Sequence, residues 1–232
     1  MQPQIKQGYN HRRWVGARIE HERRGWQRVA DIYSQIPETA ISTRVSLMGY
    51  SFTFLSSLLC VANLEAPTVS LVKMREILAA YHRLDLYEAH LEMFGLHRAT
   101  PQLTAQFLGE ASEAFDLAVQ VRKTPHPFQH KLYPHLRPYF IGKCQRLLEE
   151  GHWLDAMSWI IPFYIASCDV LAVDGNSTES AKYRTQLHRF LGTLGLGTSK
   201  NQQARWSESR QLGEAFFDLA NEIVNVHPGI AG

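Results

Sequence analysis

The 232-residue chain predicts an all-α fold, a multi-helix, mostly antiparallel bundle of about eight helices. Three observations carry that reading. Apolar residues recur three and four apart in every long segment, the spacing that lines up one face of a helix. No stretch alternates apolar and polar residues with the period of a half-buried strand. The breaks between periodic segments hold prolines, glycines and capping residues and run only a few positions, which makes sequential helices antiparallel neighbours. No fixed-period repeat points to a solenoid. With 45% hydrophobic residues, the chain has material for a sizeable core.

The elements follow in order. Residues 9 to 33 read as a long, polar, arginine-rich helix, with Pro37 as a breaker behind it. Residues 38 to 63 are apolar on nearly every side, the mark of a central helix. The segment "APTVSLVKMREILAAYHR" opens with Pro67 in a first-turn position and spaces Val69, Val72, Ile77 and Tyr81 helically. "DLYEAHLEMFG" continues after a break near Leu84 and stops at Gly95. Thr100 is a cap before a first-turn Pro101, and Leu103, Phe107, Ala111, Ala114, Ala118 and Val121 form the stripe behind it. Pro125, Pro127 and Pro134 then forbid a continuous helix. A new helix carries Phe140, Leu147 and Leu148 to Gly151, and "HWLDAMSWIIPFYIASCDVLAVD" follows, apolar on most sides, with a kink expected at Pro162. "DGNST" is a turn ending in a cap. Helices over 179–194 and about 201–226 close the chain, the glycine-rich "LGTLGLGTSK" between them reading as a C-cap and turn. Residues 1–232 therefore form a single helical domain in this reading, with a basic N-terminal helix at 9–35. A Pro/His-rich connection at 124–138 joins its two halves.

Composition narrows the function classes. The formal charge is +2, which gives no global argument for nucleic acid. The charge is uneven, however: residues 1–36 hold seven Lys/Arg against three acids. That excess reads as a solvated basic face or as a surface for an anionic partner such as a nucleotide or RNA backbone. Cys60, Cys144 and Cys168 have no metal-binding spacing, and an odd count without CxxC predicts reduced thiols in a cytoplasmic protein. The first residues are polar and basic and show no signal peptide. The greasiest stretch, Leu47–Ala62, falls short of the ~20 apolar residues of a membrane span, so no membrane association is expected.

Chemistry-bearing patterns are sparse. There is no HExxH, no GxSxG, no GxGxxG and no Walker loop. Glu149 and His152 make a single ExxH, where a di-iron bundle needs two, and Gly151 interrupts it. His90-x-Glu92 is half of a zinc-deaminase signature with the PCxxC half absent. No metal site is expected. The Pro/His-rich connection is the main binding candidate. Arg122 and Lys123 sit where a helix runs out, and His126, His130, Lys131, Tyr133 and His135 follow on a proline-stiffened loop. Such a loop presents cationic and aromatic donors to a phosphate or a sugar hydroxyl at little entropic cost. The competing reading is an ordinary connection lying over the bundle.

"APTVSLVKMREILAAYHRLDLYEAHLEMFG", "FDLAVQVRKTPHPFQHKLYPHLRPYFIGKCQRLLEEGHWLDAMSWI" and the helix from Arg184 to Leu194 resemble the helical C-terminal region of bacterial nucleotidyltransferase-domain proteins. These are relatives of the kanamycin nucleotidyltransferase C-terminal and HEPN-like bundles. In that family an N-terminal α/β domain carries a GS motif and a DxD-type acidic pair for magnesium, and this sequence has neither. The resemblance therefore implies a helical substrate- or partner-binding domain without the catalytic half, not an enzyme on its own. Magnesium and nucleotide enter only with a catalytic partner domain or subunit, and no cofactor is expected in this chain. Nucleotide or another anion, and a homo-oligomer, are the further partners considered. Glu113 and Asp116, three apart before the loop, are candidates for a carboxylate base. Arg184 and His188 share a helix face and resemble the Arg/His pair of HEPN-type ribonucleases, although three residues separate them where the family has four to six. A stand-alone HEPN-like ribonuclease and a structural oligomerisation bundle are the alternatives.

Overall fold

A computed structural model describes residues 10–65, 70–125 and 132–230. It is all-α: nine α-helices and no strand among the described residues. They are α1 (Arg12–Gln35), α2 (Ile41–Ala62), α3 (Leu71–Ala80), α4 (Leu84–Met93), α5 (Pro101–Val121), α6 (Lys143–Glu149), α7 (Trp153–Asp174), α8 (Ser177–Thr193) and α9 (Ser199–Val226). Short turns of tighter or wider helix cover Leu96–Arg98, Pro134–Leu136 and Pro138–Gly142.

The residues group into two compact units. The first comprises Met1–Pro37, Leu47–Met93 and Gln203–Gly232. In it α1 buries Val15, Ile19, Trp26, Val29 and Tyr33, a single stripe, and turns Arg12, Arg13, Arg24 and Arg28 outward. Tyr33 stacks on Trp206 of α9 at 4.0 Å, and Trp26 meets the Phe217 ring edge-on at 5.5 Å. Gly213 makes this packing possible, because a Cβ there would overlap the Trp26 ring. α3 begins at a Ser70 cap, its side chain accepting from Lys73 N, while Pro67 lies outside the described residues. Its inward side is Leu71, Met74, Ile77 and Leu78, so Val72 faces solvent at 38% exposure, off the stripe that sequence spacing assigns it. α2, whose first turns belong to the second unit, is long and apolar enough to cross a membrane, yet 78% of its apolar window is buried inside the protein.

The second unit comprises Glu38–Ser46 and Phe94–Gln202. α7 is its axis: α5, α6 and α8 all pack on it. It buries an almost unbroken run from Ile160 to Leu171, which explains an apolar surface on every side. Pro162 sits inside it without ending it. α5 starts at the Thr100 cap with Pro101 in the first turn, as its sequence requires, and buries Phe107, Leu108, Ala111, Ala114, Phe115 and Ala118. α6 and α8 both end in the same way. Gly151 (φ +80°) and Gly195 (φ +73°) take the left-handed conformation. His152 N and Leu196 N then reach back to Leu147 O and Leu191 O at 2.7 Å. α8 opens with a full capping box, in which Asn176 and Glu179 satisfy each other's backbone N–H groups.

Candidate functional site

Arg122 and Lys123 lie between the end of α5 and the Pro/His-rich connection. Arg122 there is committed to its own loop. It donates to the Leu132 carbonyl at 2.9 Å, and its guanidinium lies 4.8 Å from the Tyr133 ring centroid. Tyr133 in turn stacks on His135 at 5.6 Å. Lys123 and Thr124 turn their backbone N–H groups on the Asp174 carboxylate, at 2.7 and 2.9 Å, and Thr124 Oγ1 bonds the same carboxylate at 2.5 Å. The Lys123 backbone N–H, then the Thr124 hydroxyl, hold the Asp174 carboxyl below its ordinary range. These donors thus already hold an anion, supplied from the last residue of α7. His126, His130 and Lys131 lie outside the described residues.

Arg184 and His188 both project from the exposed side of α8. Arg184 donates to the Ala172 carbonyl at 3.0 Å, alongside the Ser180 hydroxyl at 3.0 Å. Ala172 is in the last turn of α7, where carbonyls lack helical partners, so this arginine serves as a C-terminal cap for the neighbouring helix.

Glu113 and Asp116 open onto a different feature, a groove of about 500 Å³ between α5 and the segment leading into α6. Its floor is Leu108, Gly109, Ile141 and Leu148. Its polar rim is fixed by Arg137, which forks onto Asp116 at 2.7 and 2.9 Å and onto the Ser112 hydroxyl at 2.8 Å. Glu113 stands on the same rim, exposed and without an ion pair among the described residues. Arg137 neutralises Asp116, so the rim carries a residual negative charge from Glu113. A Cβ added to Gly109 would meet open space, which leaves the α5 backbone accessible at mid-groove.

One further polar cluster joins α5, α7 and α8. Glu110 accepts from Tyr164 Oη at 3.1 Å, from Gln106 at 3.0 Å and from Arg189 at 2.5 Å. Burial alone pushes the Glu110 carboxyl upward, but the bonds from Gln106, Arg189 and Tyr164 outweigh it and the net direction is down. The cluster holds three helices together, with its hydrogen bonds internally satisfied. Burial drives the Cys144 thiol up to about 12 and Cys168 well above its usual value, so both are inert core thiols. Among the described residues no three His, Cys, Asp or Glu side chains converge as a metal site.

Sequence reasoning placed Glu113 and Asp116 as acids on one helix but missed the groove beside them, because Arg137, Ile141 and Leu148 lie more than twenty residues further along the chain. No protein-family model, no curated protein and no solved structure matches the chain.

Proposed function

We propose that this chain is a helical binding module that acts by docking a partner in the α5–α6 groove, without chemistry of its own. The groove carries this reading: it has an apolar floor, a rim held rigid by a forked Arg137–Asp116 pair, and room for two or three side chains. The Arg122 and Arg184 guanidiniums are engaged in hydrogen bonds to backbone carbonyls within the fold. The resemblance to nucleotidyltransferase helical regions supports a companion role beside a catalytic subunit. Nile red, a neutral dye that brightens and shifts to the blue in apolar sites, tests the groove. Its emission should rise with the native chain and fall back with Gly109→Trp, whose side chain fills the groove from a position with free space around it. Unchanged dye binding in a folded Gly109→Trp variant refutes the assignment.

A further inference from the structure

Resting on that groove, we propose that its occupant is a second copy of this chain, which inserts Trp14 from the start of α1. Three observations converge. Trp14 is 58% exposed, an unusual setting for so large a side chain, and lies beside the buried stripe of Val15, Ile19, Trp26, Val29 and Tyr33 rather than on it. Arg12 and Arg13 precede it in the first turn of α1, which contains no acidic residue. Cations there oppose the positive end of the helix dipole, so these arginines gain from a carboxylate that their own helix does not provide. The groove offers the complement: an apolar floor with space for an indole, and at its rim the Glu113 carboxylate, which has no ion pair among the described residues. An aromatic anchor in a pocket with a charge pair at its edge is the usual form of an interface hot spot. Each copy brings one Trp14 and one groove, so the assembly proposed is a reciprocal pair in which each copy fills the other's groove.

The test is light scattering coupled to gel filtration over a concentration series, with circular dichroism and melting to confirm that each variant folds. The full-length chain should pass from monomer to a species of twice its mass. Trp14→Ala and Gly109→Trp should each raise the dissociation constant by about tenfold or more. Arg13→Glu and Glu113→Arg should each weaken the dimer, and the double variant Arg13→Glu/Glu113→Arg should restore it, which a merely structural role for either residue does not predict. A monomer at every concentration overturns the proposal. So does a dimer indifferent to both Trp14→Ala and Gly109→Trp, or a charge swap without rescue. Trp14 of a second copy competes with Nile red, so the dye is read at concentrations where the chain is monomeric; its binding by a chain that stays monomeric at every concentration leaves the groove reading intact and removes only the self-docking. Loss of both removes both.

Discussion

His90 offers the sharpest test of the packing of the first unit. It lies on α4 with its side chain fully buried, its ring stacked on Phe52 at 3.9 Å and tilted against Phe216 at 5.5 Å. Neither ring nitrogen has a hydrogen-bond partner among the described residues. Burial therefore penalises the imidazolium without compensation and lowers the pKa from 6.5 to about 3. The folded state holds the ring neutral, while the unfolded chain takes up a proton once the pH drops below 6.5. This packing is fully stabilising above that value and is undermined progressively as the pH falls towards about 3. Linkage sets the size: each pH unit in the window costs about 1.4 kcal/mol, hence about 2 kcal/mol by pH 5 and about 5 kcal/mol over the whole interval.

Urea denaturation of the wild type and His90→Phe at pH 7.5 and pH 5 measures this directly. Phenylalanine keeps the stack and removes the proton-binding nitrogens. Its stability relative to wild type should improve by about 2 kcal/mol between the two pH values, whatever its offset at pH 7.5. The remaining titratable groups are common to both proteins and cancel. His90→Leu, which cannot overpack as phenylalanine can, should show the same differential. Parallel pH dependence in all three proteins would refute the argument and mean that the ring has a partner or a route to water.

Other consequences follow from single contacts. Gly213→Ala places a methyl group into the Trp26 ring and should destabilise the protein by about 1–3 kcal/mol, read as a fall in Tm. Asp174→Asn should speed hydrogen exchange at the Lys123 and Thr124 amides at neutral pH, with little change in global stability because the carboxylate is exposed. In the wild type the same protection should be lost as the pH drops through the depressed Asp174 pKa, below the usual carboxylate range. The purified chain should transfer no nucleotide from ATP with magnesium. If it cleaves RNA, alanine at Arg184 or His188 must abolish cleavage for that pair to be responsible, and cleavage surviving both changes excludes them.

What could be read from the sequence, and what could not, divides along the range of the forces involved. Helix periodicity and capping act over four residues, so the all-α class, the Thr100–Pro101 start, the glycine at 151 that ends α6 and the cap near Asn176 are written locally. The middle of the α5 stripe, Phe107, Ala111, Ala114 and Ala118, was legible for the same reason, while Leu103 and Val121 at its ends are only half-buried and Leu108 and Phe115 widen it. The outward turn of Val72 was not, because spacing alone does not say which side of a short helix the rest of the chain covers.

The candidate site shows the same limit more strongly. Arg122, Lys123 and the histidines that follow look like an anion site because cations cluster in the sequence, yet the carboxylate that meets the Lys123 and Thr124 amides sits fifty residues away on α7. A local signal for it did exist. Asp174 ends a helix, where the dipole disfavours a negative charge, and such a residue persists only if something else stabilises it. Three hydrogen bonds from residues 123 and 124 are that compensation. Arg12 and Arg13 pose the mirror-image problem at the start of α1, two positive charges at a positive helix end with no acidic residue in the turn. In the first case the fold resolves the conflict internally. In the second it leaves the charges at the surface beside an exposed Trp14, and that difference makes the start of α1, rather than the histidine-rich loop, the surface that calls for a partner.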